Sequence, residues 1–279
     1  MKKKILLSIM VVAIIVCGGY FYLQNQKDKQ SRYDLAMVAI NNQEYETAID
    51  LLAELGTYKD SNDLYKKTFN SYYYSQAKEK MAKKDYEQAF ELFDKVSGYE
   101  DADKLKQECE EKKVYQGYAK AKVGESITFA GRKYIVLDNT GTKLLIRSDD
   151  YIESRAYEPS ATISSWSTSE LREYLNGTYL TDNFSENERK IICPTNLTTN
   201  NVNTTDKIFI FSLAEAKEYG LIKKLTYDDW WLRDVANSST KMSTAMYVNE
   251  YGELVRTGMY TNLRARVIIG MWIDYSSID

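Results

Sequence analysis

Residues 228–234 read Asp-Asp-Trp-Trp-Leu-Arg-Asp, placing two of the chain's four tryptophans side by side among an arginine and three acids. Indole faces stack on sugar rings, and a guanidinium or carboxylate can hydrogen-bond two hydroxyls in its own plane. The same cluster also serves as a catalytic patch or as packing in a small β domain. On a strand, neighbouring side chains face opposite ways. Trp230 and Leu232 then share an inward face, while Asp229, Trp231 and Arg233 share the other, with Arg233 stacked on Trp231. Planar polar groups downstream complete the candidate ligand-binding set: Asp229, Trp231, Arg233, Asn249, Asn262 and Arg264. Trp166, Tyr247, Tyr251 and Tyr260 are further aromatics for such a surface, or else for the core.

Other chemistry is narrowed by composition. The chain has no histidine, which removes Ser-His-Asp and Cys-His mechanisms and histidine-ligated zinc, iron or copper. Hydrolysis by a carboxylate pair has Asp149, Asp150, Glu153, Asp228 and Asp229 to draw on, but needs a separation of about 5–9 Å that spacing in sequence does not supply. Oxygen-rich stretches exist, yet none follows the D-x-D-x-D-G calcium loop. Cys17, Cys109 and Cys193 form no C-x-x-C and read as unpaired thiols. No metal, cofactor or catalytic set is assigned. A net charge of −3 gives no basic field for nucleic acid.

The elements that must hold the candidate residues lie in 123–279. Short alternating runs (SITFAG, RKYIVLD, TKLLIRS) predict strands, with Asn139-Thr140-Gly141 as a hairpin turn. Ser167 with Glu170, Ser185 with Glu188 and Ser212 with Glu215 match the capping box at a helix start. After Gly220 the chain reads as strand again, including a hairpin across YVNEYGELV. TNLTTNNVNTTD (195–206) reads as a polar surface loop. The expected class is α+β.

Residues 31–122 have a different texture. Tyr33, Ala36, Tyr45, Glu46, Ala48, Leu51, Tyr58, Asp60 and Leu64 each recur 41 residues later, from Tyr74 to Leu105. Ala48, Leu51, Leu52 and Leu55 form one helical stripe. Ser31–Asp34 and Asp60–Asp63 read as helix-start pairs. The predicted unit is a long helix, a tight turn and a shorter helix opening Y-E-x-A. This resembles tetratricopeptide-type hairpins, and implies a stalk or a partner surface.

Residues 1–30 carry three lysines and then 19 uncharged residues, 5–23. Such a run nearly spans a hydrocarbon core of about 30 Å. It predicts a single transmembrane helix with a cytoplasmic N-terminus and the remaining chain outside. A cleaved signal, or lipidation at Cys17, stays open as an alternative.

The run W-S-T-S-E-L-R-E-Y-L-N (Trp166–Asn176), then DKIFIFSLAEAKEYG, WWLR, YVNEYGELVRTG and RARVIIGMWID, resembles a bacterial family, domain of unknown function 6273, over about residues 122–275. The resemblance implies a secreted or anchored protein of a Gram-positive bacterium and a C-type-lectin-like or formylglycine-generating-enzyme-like fold. Asp234-Val235-Ala236 stands where the family has S-P-G, and the Arg266–Ile268 stretch lacks the family's proline. Together these readings predict a transmembrane helix, an all-α repeat and an α+β domain. The domain would present a surface for a glycan or a protein partner. A carboxylate-dependent cell-wall hydrolase and a structural subunit acting through the helices are the alternatives.

Overall fold

The computed structural model describes residues 2–160, 165–222, 225, 228–236 and 243–276, with side chains from Cys17 onward. The chain divides into two compact units, Met1–Lys113 and Val114–Asp279.

The first unit is helical: α1 (Lys2–Asn41), α2 (Tyr45–Leu55), α3 (Ser61–Ala82), α4 (Tyr86–Lys95) and the start of α5 (Ala102–Lys120). The starts of α2 and α4 stand 41 residues apart, as do those of α3 and α5. Buried positions follow the same offset: Ala48 and Ala89, Leu52 and Phe93, Leu55 and Val96. Alanine at the crossings lets helices approach closely, and the larger residues fill the space beside it. A polar bond recurs too. The Tyr33 hydroxyl donates to Asp60 at 2.7 Å, and Tyr74 donates to Asp101. Asp60 does not cap α3 through its side chain, and Ser31 lies inside α1 rather than at a helix start. Asp85 does cap α4, accepting from the Gln88 amide. A groove of about 520 Å³ in this unit is lined by Met37, Ile40, Tyr45, Leu64 and Tyr72 among others.

The expected transmembrane helix over 5–23 is corrected here. Among the described residues no helix is long and apolar enough to cross a membrane. The apolar run does not form an element of its own. It opens α1, which continues without a break through Lys27, Asp28, Lys29, Arg32 and Asp34. Side chains of residues 5–16 lie outside the described residues.

The second unit is β-rich, which corrects the α+β expectation. Two five-stranded sheets form the frame. The first has the order β1 (Ser126–Phe129), β2 (Arg132–Asn139), β3 (Lys143–Ser148), β12 (Ile269–Asp274), β7 (Phe209–Ile210). The second has the order β10 (Leu254–Tyr260), β9 (Thr244–Val248), β8 (Trp230–Ala236), β11 (Arg264–Val267), β4 (Glu153–Ala156). A separate hairpin pairs β5 (Thr195–Thr199) with β6 (Val202–Asp206). The helical pieces are short: α6 (Glu170–Tyr174), a π turn (Leu175–Tyr179), α7 (Leu180–Asn183), α8 (Glu186–Ile191) and α9 (Leu213–Glu218).

The hairpin replaces the loop expected over 195–206. Asn200 and Asn201 adopt φ of 49° and 64°, the left-handed conformation that a two-residue hairpin turn requires and that asparagine tolerates. Its inward side chains Leu197, Thr199 and Asp206 are buried. Two expected capping boxes form, at Ser185–Glu188 and Ser212–Glu215. The third shifts. Ser169, not Ser167, caps α6 by accepting from the Arg172 amide.

One core joins both sheets. Leu144, Ile146, Ile269, Met271 and Ile273 of the first sheet belong to the same buried cluster as Trp230, Trp231, Leu232 and Val267 of the second. Only Ile268 separates β11 from β12, so one continuous segment passes from one sheet into the other. In β12, Gly270 packs under two rings. A Cβ there would lie 2.6 Å from Phe211 Cζ and 2.9 Å from Phe209 Cε2. Gly270→Ala is therefore expected to destabilise the unit by about 1–3 kcal/mol through overpacking, read as a lower urea midpoint.

Candidate functional site

The Trp-Trp-Leu-Arg run lies on β8, between β9 and β11. Both of its faces are covered, because all four side chains are buried; Trp231 is 0% and Arg233 1% exposed. The alternation of faces therefore does not separate core from surface. Trp231 donates its indole N–H to the Arg155 carbonyl at 2.8 Å and packs edge-on against Tyr157. Arg233 does not stack on Trp231. Its Nε donates to Thr199 Oγ1 (2.6 Å), one Nη to the Ile210 carbonyl (2.8 Å) and the other to Glu215 Oε1 (2.8 Å). A buried guanidinium has to be paired this fully, since leaving it unpaired would be strongly unfavourable. Trp231 and Arg233 thus leave the ligand-binding set for the core.

The W-S-T-S-E-L-R-E-Y-L-N run is equally structural. Trp166 donates its indole N–H to Asp206 Oδ2 (2.8 Å), Arg172 donates Nε to Asp206 Oδ1 (2.6 Å), and the Thr204 hydroxyl adds a third bond (2.8 Å). Asn176, four residues after Arg172, stands on the same helix face. Its amide donates to the Ile208 carbonyl while its oxygen accepts from the Lys207 and Ile208 amides. Leu171 and Leu175 enter the core. A polar hollow of about 310 Å³ opens beside Arg172 and Asp206. Asp234, which departs from the family's S-P-G, accepts from the Leu213 amide at the start of α9 (2.6 Å).

The open site lies elsewhere. In β11, Ala265 and Val267 are buried while Arg264 and Arg266 point outward. The register aligns Arg266 with Trp230 of β8 and with Ser154 of β4. That brings Ser154, Asp228, Asp229, Arg264 and Arg266 together with Glu250 around a cleft of about 390 Å³, in which Ala265 is the one apolar residue among the described residues. Arg266 donates Nε and an Nη to Asp228 Oδ2 (2.9 and 2.6 Å), and its guanidinium carbon lies 4.0 Å from the Tyr151 ring centre. Arg264 is exposed and donates to the Ser154 carbonyl. Burial pushes the Asp229 carboxyl above the ordinary aspartate range. A hydrogen bond from the Glu250 amide opposes this, and the negative charges of Glu250 and Asp228 add to it.

Of the six candidates read from sequence, Asp229 and Arg264 meet in this cleft. Asn249 builds the neighbouring β9–β10 turn, its Oδ1 accepting from the Tyr251 and Glu253 amides at 3.1 and 2.8 Å. Asn262 is exposed beside the buried Thr261 in the turn before β11. Among the acids considered for hydrolysis, Asp228 and Asp229 line the cleft and Asp149, Asp150 and Glu153 do not. Among the described residues no group of three or more Cys, Asp or Glu side chains is arranged to hold a metal ion. Ser154, Glu250 and Arg266 are additions that only strand register reveals.

Fold and site together define a β-rich, two-sheet domain with an open ionic cleft. Residues 141–274 match the family described as Domain of unknown function (DUF6273). Both signature runs, Trp166–Asn176 and Trp230–Arg233, fall inside the match. No curated protein and no solved structure matches the chain. The expected tetratricopeptide and lectin-like relationships therefore find no counterpart.

Two outcomes follow. Asp206→Ala removes the acceptor from a buried indole N–H and a guanidinium, and is expected to destabilise the second unit by about 3–5 kcal/mol in denaturant unfolding. Asp229 titrates higher folded than unfolded. The stability linked to its proton is present at low pH and is lost as pH rises through the raised value. Asp229→Asn, always neutral, is expected to raise the urea midpoint at about pH 7 and to change it little at about pH 3.

Proposed function

We propose that the second unit is a binding module for a hydroxyl-rich ligand, a glycan, held in the cleft formed by Ser154, Asp228, Asp229, Glu250, Arg264 and Arg266. The convergence of carboxylates from the approach to β8 and from the β9–β10 turn on the guanidiniums of β11 carries this reading. Such groups bond sugar hydroxyls in their own planes, and β11 holds the two arginines more rigidly than a loop would. Arg266 is pre-set by Asp228 and Tyr151, so little of its freedom remains to be lost on binding. The role calls for a location outside the cytoplasm, where such glycans are displayed.

A second reading, a cell-wall hydrolase, is favoured by one observation. The raised Asp229 carboxyl beside Glu250 has the form of a general acid next to a second carboxylate. A glycan array probed with the full chain separates the two. Binding is expected to weaken about tenfold or more, roughly 1.4 kcal/mol, in Arg264→Ala and to stay unchanged in Tyr260→Ala. An empty array, together with cell-wall turnover that Asp229→Asn abolishes, would replace the binding module with the hydrolase.

A further inference from the structure

Within the glycan reading, we propose that the cleft selects sugars bearing a free amine, hexosamine units without their acetyl group, over acetylated or neutral ones. Among the described residues the charges in the lining do not balance locally. Asp228 Oδ2 accepts two N–H groups of Arg266, so that pair is neutral as a unit. One guanidinium, Arg264, then faces two carboxylates, Asp229 and Glu250. Among the described residues neither of these carboxylates is in an ion pair. Asp229 accepts a backbone N–H from Glu250, and Glu250 accepts the Tyr251 hydroxyl. Both acids therefore retain acceptor capacity, and the charge of Glu250 adds to the cost of ionising Asp229.

A protonated amine answers that arrangement. It offers three N–H donors on a compact charge, enough to bridge two carboxylates, and its charge relieves their repulsion. Arg264 keeps free donors for a hydroxyl on the same sugar. Tyr251 stands beside Glu250 with 72% of its surface exposed, and its ring provides a face for the sugar's C–H groups. An N-acetyl group would remove the charge, leave the acids unanswered and press a methyl against a polar wall. A lysine-bearing peptide would supply the amine too. However, among the described residues Ala265 is the only apolar one in the lining, which offers little to a peptide's apolar side chains.

The test is calorimetric titration of the full chain with glucosamine oligomers and N-acetylglucosamine oligomers of equal length. The expected result is at least tenfold tighter binding of the glucosamine oligomer. That preference should shrink severalfold in Glu250→Gln and in Asp229→Asn. Thermal melting confirms that both variants fold. Equal or tighter binding of the acetylated oligomer overturns amine selection and leaves the glycan reading standing. A preference that survives both substitutions overturns the assignment to these acids. An oligolysine peptide binding as tightly as the glucosamine oligomer overturns the selection for sugar. No binding of either sugar removes the glycan reading and this proposal with it.

Discussion

The second unit depends on two buried charges placed at opposite ends of one hairpin. Arg233 reaches from β8 to Thr199 on β5, to the Ile210 carbonyl of β7 and to Glu215 on α9. Asp206, at the far end of β6, takes hydrogen bonds from Trp166 and Arg172. The β5–β6 hairpin has little apolar surface of its own, so hydrophobic burial alone would hold it weakly. Charged groups that must find these partners define its position instead. Desolvating such ions is unfavourable by several kcal/mol each, so the bonds contribute more to a single arrangement than to net stability. The Trp166–Asn176 and Trp230–Arg233 runs are then two halves of one clamp, and the motif that first looks like a binding platform is part of the frame.

What could be read in the sequence follows from how local each signal is. The caps at Ser185 and Ser212, and the hairpins around Gly141 and Gly252, are set by residues within a few positions of one another. They form as the local chemistry demands. TNLTTNNVNTTD hid its strands because threonine and asparagine give no apolar alternation, although the paired asparagines carried the turn. Trp231 and Arg233 were misplaced because alternation separates core from solvent only when one face is wet, and β8 is covered on both. The cleft was half legible. Asp229 and Arg264 have the right chemistry wherever they fall. Ser154 and Arg266 join them only through the β11–β4 and β11–β8 registers, and Glu250 through the β9–β10 turn.

The cleft and the clamp use the same residue types to opposite ends. In the clamp Arg233 and Asp206 are each matched and enclosed. In the cleft Asp229 is partly enclosed and, among the described residues, has no ion-pair partner, a state that lowers the stability of the fold at neutral pH. Folds tolerate such groups where binding or catalysis uses them.

The step from β11 to β12 at Ile268 has a temporal consequence. β12 lies between β3 and β7, and β11 between β8 and β4, so residues 264–274 complete the middle of both sheets. Lys143 pairs with Asp274 and Arg155 with Ala265, contacts between positions far apart in sequence that are slow to form. During synthesis, the strands made earlier wait with exposed edges until this segment has left the ribosome. For that interval the unit resembles an open seam, vulnerable to pairing with another chain. Its insertion closes both sheets at once and brings the two arginines of the cleft into place.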